Sequence, residues 1–372
     1  MIDVPLSLKY RPKCLADVIG QDVVVKSLTN AFKSKTLHHA YIFGGKFGCG
    51  KTSVARILAA MENNDKGPSM TPDPEATNVK AIFAGKSLDV KEIDAASNRS
   101  IDNIRALKEE IRYSPVECRM KYVILDECHS LTGQAAEAAL KMIEEPPPHV
   151  RFILATTDPH ALIKTIHSRC ITLKFNKVNW MDMFGHLKMI AEKEGIDFEE
   201  NALKIAARSA DGSVRNSIQN LQTMINFSGG EKLTSDDAQK VLGSIDSNLY
   251  FHFIQSIIDI KVPKAMQVVD RLMADGRQVD QILDGLQQHL RNLMIIKTCM
   301  SDFASFGYSE DEAKHYEVQA SNCGIELIIE LIDELVNVNY AITYNLDPQM
   351  VLEEYVIKGI VAKKRIETKK RA

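Results

Sequence analysis

The chain has 372 residues, too many for one ordinary core, and its 45% hydrophobic content excludes global disorder. A formal net charge of −3, from 46 basic and 49 acidic residues, provides no bulk attraction for nucleic acid, so any DNA contact must come from a local basic surface. The seven cysteines, Cys14, Cys49, Cys118, Cys128, Cys170, Cys299 and Cys323, are odd in number, widely spaced and without a Cys-x-x-Cys, which argues against a disulfide frame or zinc site and for a reducing compartment.

In chain order, the stretch from Met1 to Tyr10 is too short and polar for a signal peptide, and no apolar run reaches the roughly 18 residues of a membrane span. A soluble, cytoplasmic protein is expected. The first strong element is the apolar run Ala40–Gly44, read as a strand. It leads into Gly45-Lys46-Phe47-Gly48-Cys49-Gly50-Lys51-Thr52, and helical spacing follows from Ser53 over 53–60. Strand, glycine loop and helix together form a phosphate-binding loop. Its glycines turn backbone N–H groups toward an anion, and the helix adds the positive end of its dipole. Lys51 is expected to reach the β- and γ-phosphates of ATP, and Thr52 to hold Mg²⁺. A chance glycine turn is the competing reading, and the flanking strand and helix weigh against it.

Residues 61–87, with Asn63-Asn64-Asp65, Gly67-Pro68 and Pro72-Asp73-Pro74, read as an irregular surface insertion. Strand-like runs recur at 88–93, 122–125, 152–155 and 171–175, with helical patterns near 101–112 and 133–145, and Pro146-Pro147-Pro148 stops the latter helix. The alternation predicts a parallel sheet covered by helices on both faces. The strand Val123-Ile124-Leu125 delivers Asp126 and Glu127 to its C-terminal edge, where open α/β sheets bind ligands. Neighbouring side chains on a strand face opposite ways, so Asp126 suits the Mg²⁺ shell and Glu127 suits the attacking water. Thr157, in Thr156-Thr157-Asp158, could hydrogen-bond the γ-phosphate or water; a plain strand-ending turn fits its spacing equally well.

From Trp180 onward the pattern is almost wholly helical, with candidate boundaries at Gly229-Gly230 and over 243–247, and no internal repeat. The expected plan is an α/β domain over 1–178, a small helical domain over 179–243, a larger helical domain over 244–362 and a basic, frayed tail over 363–372.

Taken together, Leu8-Lys9-Tyr10-Arg11-Pro12, Asp17-Val18-Ile19-Gly20-Gln21, His39-Ala40-Tyr41-Ile42-Phe43, Glu92-Ile93-Asp94-Ala95-Ala96-Ser97-Asn98, Asp126-Glu127-Cys128-His129, Lys141-Met142-Ile143-Glu144-Glu145-Pro146-Pro147, Ser168-Arg169-Cys170 and Gly212-Ser213-Val214-Arg215 resemble the AAA+ clamp-loader ATPases. The gamma/tau family of bacterial DNA polymerase III is the near match, and replication factor C subunits are more distant. The resemblance is dense over about 1–245 and continues as a helical pattern to about 362. It implies an AAA+ module, a lid and a collar joining subunits into a ring, expected to be pentameric. It implies ATP-driven opening and placement of a sliding clamp on primer–template DNA.

Carried over by position, Arg169 becomes an arginine finger acting in the neighbouring subunit's site, a role in which a cation stabilises γ-phosphoryl charge only after assembly. Read without the family it is a surface arginine. Arg215 becomes the second sensor in its own subunit, against a bland reading as a solvated helix residue. Tyr10, Arg11, Val18 and Ile19 would border the adenine, against simple packing of an N-terminal arm. Asn98, Arg99 and Arg105 would follow the DNA backbone, against an ordinary helix start.

Two departures from the family stand out. The four-cysteine zinc module that follows the phosphate-loop helix has no cysteine to build it in 61–87, so no zinc is expected. The long tau extension is also missing, which leads to the expectation of a compact, gamma-like protein from a phage or another divergent replication system. The competing functions are another AAA+ DNA-remodelling ATPase and a non-catalytic ring subunit that only donates Arg169. Intact Lys51, Thr52, Asp126 and Glu127 argue against the last.

Overall fold

The computed structural model describes residues 4–97, 101–242, 247–274, 279–299, 310–343 and 347–371. They fall into two compact units, Met1–Ala238 and Gln239–Ala372.

The first unit is built on five parallel strands: β1 (Ala40–Gly44), β2 (Val90–Asp94), β3 (Lys121–Asp126), β4 (Val150–Thr156) and β5 (Ile171–Lys174), in spatial order β2-β3-β4-β1-β5. The interior strands are apolar runs because both their faces are covered; all five residues of β1 are buried. The edge strands β2 and β5 carry exposed polar residues instead. Alternation along each strand divides the core. Tyr41, Phe43, Tyr122, Ile124 and Ile153 face one apolar cluster, and Ala40, Ile42, Val123, Leu125, Phe152 and Leu154 face the other.

The helices of this unit are α1 (Leu6–Lys9), α2 (Asp22–Lys33), α3 (Lys51–Glu62), α4 (Thr77–Phe83), α5 (Ile101–Ile111), α6 (Gly133–Glu144), α7 (Lys164–His167), α8 (Trp180–Glu194), α9 (Glu200–Arg208), α10 (Val214–Ser228) and α11 (Ser235–Leu242), the last running into the unit boundary. Register sets Gly44 opposite Thr156 and Asp94 opposite Asp126. The loops after β1, β3 and β4 therefore open on the same edge of the sheet.

Residues 61–87 follow the expected irregular insertion over 63–76 and 84–87, which form no helix or strand, and differ from it at two places. Met61 and Glu62 complete α3, and 77–83 form α4. The Asp65 carboxylate accepts the Thr77 and Asn78 N–H groups at 2.9 and 3.2 Å, satisfying orphan donors at the start of α4. Val79 and Ile82, three apart, are buried against α3. Buried Asn63 accepts the Arg119 and Met120 N–H groups and donates to Met120 O, all near 3.0 Å. Backbone-directed amides thus tie down the segment that carries the zinc module in the resembled family.

The second unit holds α12 (Ser247–Ile258), α13 (Val262–Ala274), α14 (Val279–Cys299), α15 (Glu310–Ser321), α16 (Ile325–Thr343) and α17 (Pro348–Arg371) around one apolar cluster. The tail expected to fray is helical through Arg371. Lys363 pairs with Glu367 one turn on at 3.2 Å, Arg365 pairs with Glu330, and basic residues suit a helix C-terminus. Among the described residues no helix is long and apolar enough to cross a membrane.

A polar string crosses this second core. Gln319 donates through Nε2 to Phe251 O, so its Oε1 accepts from His289 Nε2 at 2.8 Å. His289 Nδ1 is then the acceptor for the Tyr316 hydroxyl at 3.1 Å, and Asn292 Nδ2 donates to that hydroxyl. The string is satisfied only with a neutral imidazole, and burial lowers the His289 pKa from 6.5 to about 4, partly opposed by Gln319. The unfolded chain therefore takes up a proton between those values while the folded chain does not. Stability should be complete above about pH 6.5 and fall by about 3 kcal/mol as pH drops to 4. Urea unfolding followed by circular dichroism at about pH 7 and pH 4.5 checks this; His289→Asn should lose less stability on acidification than the parent, and equal losses would refute the assignment.

Candidate nucleotide site

The loop after β1 is shaped by close approaches. Gly48 has φ +75°, and a Cβ there would lie 2.1 Å from Ser213 Oγ. Gly50, at φ +101°, is the N-cap of α3 and supplies no side-chain cap, so the first N–H groups of that helix stay available to an anion. Lys51 is 5% exposed, and its Nζ donates to Gly45 O at 2.6 Å and Lys46 O at 3.0 Å, inside the loop. Cys49 donates to Lys46 O, and burial pushes its thiol up although Lys51 pulls it down. Ser53 Oγ accepts from Arg11 Nε at 3.0 Å.

The carboxylates meet this loop from β3. Thr52 Oγ1 donates to Asp126 Oδ2 at 3.0 Å, across 74 residues of sequence. Glu127 sits in the left-handed region, φ 47° and ψ 42°, a conformation that costs a non-glycine residue of order 1 kcal/mol and clusters at functional sites. Its Oε2 accepts from Thr157 Oγ1 at 3.0 Å and Thr157 N at 3.3 Å, with His129 Nδ1 at 3.4 Å. His129 also meets the hydroxyl of fully buried Thr156.

A cavity of about 230 Å³ joins these groups. Tyr10, Arg11, Val18 and Ile19 line it from the N-terminal arm, Phe47 to Ser53 from the loop, and Asp126 and Glu127 from the sheet edge. Helices α8 and α10 close it with His186, Val214, Arg215 and Ile218. The arm is clipped to α8, because Glu194 accepts from both Lys9 and Tyr10. Burial, then Glu194, pushes the Tyr10 hydroxyl up to about 12. The start of α10 and the loop before it dock on the phosphate loop: Arg215 N donates to Gly48 O at 3.3 Å, Lys46 pairs with Asp211 at 3.1 Å, and the Arg215 guanidinium lies 5.3 Å from the Phe47 ring centre.

Most of the expected site residues are thus brought together. Gly45 and Lys46 support the loop from outside the cavity, and Thr157 reaches it only through Glu127. Arg169 lies in a separate cleft, bonded to Glu144, Thr165 O and Ser168 Oγ. Arg105 is exposed and pairs with Asp102 at 3.4 Å; Asn98 and Arg99 lie outside the described residues. His186, Val214 and Ile218 were not foreseen. Nothing in a helical period distinguishes a residue facing a cavity from one facing a core; only Ser213-Val214-Arg215, beside an expected site residue, carried a hint.

The donor set fits ATP with Mg²⁺. It offers a buried ammonium, an uncapped helix start beneath open space at Gly50, and a hydroxyl already hydrogen-bonded to a carboxylate.

Three family profiles match in chain order: DNA polymerase III, delta subunit, over residues 20–179; DNA polymerase III clamp loader subunit, ATPase lid domain, over 182–230; and DNA polymerase III subunits gamma and tau domain III, over 233–371. The chain is 35% identical over 296 residues to DNA polymerase III subunit gamma of Buchnera aphidicola subsp. Acyrthosiphon pisum, covering 80% of this chain and 81% of the relative. It is 36% identical over 289 residues to subunit tau of Bacillus subtilis, covering 78% and 51%, and 34% identical to subunit tau of Escherichia coli, covering 75% and 43%. The chain therefore spans about half the length of these tau relatives. Among solved structures, a Thermotoga maritima RuvB Holliday junction branch migration motor aligns with TM-score 0.48 and 21% identity over 68% of this chain and 80% of that one. The Bacillus subtilis DNA clamp loader delta protein aligns with TM-score 0.39 and 16% identity over 90% and 98%. The parallel sheet with its phosphate loop is an AAA+ module, and with 35% identity across four-fifths of both chains this protein belongs to the gamma/tau family of DNA polymerase III subunits.

Proposed function

We propose that this chain is a clamp-loader motor subunit, in which ATP binding and hydrolysis drive the opening of a sliding clamp and its loading onto primer–template DNA in the cytoplasm. The observation that carries the reading is the convergence of Lys51, the Thr52–Asp126 pair and Glu127 on one cavity closed by Arg215, in a chain of the gamma/tau family. Residues 179–243 serve as the lid and 244–362 as the collar of a ring, taken as pentameric, with other loader subunits. Bound Mg²⁺ would neutralise charge on the β- and γ-phosphates. Thr52 and Asp126 would hold it, the loop N–H groups and Lys51 would cradle the phosphates, and Glu127 would orient water and accept its proton. Arg215 would contact the γ-phosphate in its own chain and Arg169 that of a neighbour; the absence of Arg169 from its own cavity is what supports the second assignment. Arg105, with Asn98 and Arg99, would follow the DNA backbone. Steady-state ATP hydrolysis with and without primed DNA and clamp tests the reading. The rate should rise severalfold only when both are present, and no stimulation by the pair together would sink it.

A further inference from the structure

Arg169 is held by its own chain before any neighbour arrives. Its two terminal nitrogens are engaged: one lies 2.9 Å from Glu144 Oε1, and the other donates to Thr165 O at 2.9 Å and Ser168 Oγ at 3.0 Å. The Arg169 side chain is still 37% exposed, and it borders a cleft of about 360 Å³ shared with His38, His39 and Cys170. Glu144 is the last residue of α6, with Pro146 two positions on. A carboxylate at a helix C-terminus faces the negative end of the dipole, so this is a poor place for glutamate unless a cation answers it. Thr165 lies in α7 and Ser168 is its C-cap, so their bonds to Arg169 also fix the orientation in which the cation leaves α7.

From this arrangement we infer that Glu144 is a positioning residue for Arg169, holding the guanidinium preformed at the cleft so that it enters a neighbour's nucleotide site without reorganising. The inference rests on the reading of Arg169 as a cation acting across a subunit interface. A long arginine side chain free on the surface must be immobilised at the moment of reaction; one already held by three acceptors gives its electrostatic effect without that penalty. The remaining N–H donors are the ones left to meet a γ-phosphoryl group.

The test uses the full chain assembled with its partner subunits, clamp and primed DNA, comparing Arg169→Ala, Glu144→Gln, Glu144→Asp and the double variant Glu144→Gln/Arg169→Ala. Glu144→Gln should lower kcat about 10-fold, the scale expected for a modest misplacement of a catalytic group, while KM for ATP stays within about twofold. Glu144→Asp should recover part of the loss because it keeps the charge. Arg169→Ala should fall about 10³-fold or more, and adding Glu144→Gln to it should cost nothing further, because the two residues act through one contact. Wild-type turnover in Glu144→Gln, with Arg169→Ala still crippled, would overturn the positioning role and leave the finger standing. Additive losses, or a loss appearing in KM together with a lower melting temperature, would reduce the pair to a structural tie and also overturn it. Wild-type turnover in Arg169→Ala would remove the finger reading, and the Glu144 role with it.

Discussion

Replacing Glu127 with glutamine should slow ATP hydrolysis about 10²- to 10⁴-fold and leave nucleotide affinity within a few-fold of the parent. Glutamine keeps the length of the side chain and, through its oxygen, can still accept from Thr157 N and Oγ1 as Glu127 Oε2 does at 3.3 and 3.0 Å. It cannot take a proton from water. The Thr52–Asp126 pair, on which Mg²⁺ would depend, is untouched by the change. Glutamine is also a cleaner probe than alanine, because residue 127 occupies the left-handed region and a β-carbon alone would lose the Thr157 anchor while keeping the backbone cost. Equilibrium binding of ATP and single-turnover hydrolysis separate the two quantities. Near-parental turnover in the glutamine variant would show that Glu127 is not the base.

Arg151→Ala should destabilise the first unit by about 3–5 kcal/mol, because it strands a buried carboxylate. Glu62 closes α3, the helix that the phosphate loop opens, and Arg151 reaches it from β4 through both Nε and a terminal nitrogen, the latter at 2.8 Å. The other terminal nitrogen donates to Leu37 O at 2.9 Å and His38 O at 3.2 Å. The two side chains are only 16% and 13% exposed, and the Tyr122 hydroxyl, itself held well above the ordinary range chiefly by burial, donates to the same carboxylate. The paired change Glu62→Gln/Arg151→Met should recover much of the stability, since it removes both charges together. The chain's one tryptophan, Trp180, lies in this unit, with the Arg208 guanidinium 4.6 Å from its ring centre, so its fluorescence follows urea unfolding there. A loss below about 1 kcal/mol, the range of exposed pairs, would mean that the pair is solvated.

Much of this protein depends on neighbours a few residues apart, and those parts are legible in the amino-acid order. The apolar runs of β1, β3 and β4, the glycine loop and the start of α3 follow from period and turn chemistry alone, so Lys51, Thr52, Asp126 and Glu127 could be singled out before any fold was known. Where local signals misled, a distant partner was the cause. The helix α4 within the Pro- and Asn-rich stretch 61–87 has no local start signal because Asp65 caps it from 12 residues away, and Asn63 is satisfied by the distant Arg119 and Met120. The basic tail looked frayed because its answering carboxylate, Glu330, stands 35 residues upstream of Arg365.

The phosphate loop, the two carboxylates and the succession of strands and helices along the chain are all encoded in short-range spacing. Which of those groups meet is set by the folded arrangement: Thr52 with Asp126, Glu127 with Thr157, Arg215 with Phe47, and Arg169 with Glu144 rather than with its own cavity. Those pairs join loops and helix ends that parallel strand register and lid docking bring together, and no residue period records a contact made across the sheet edge.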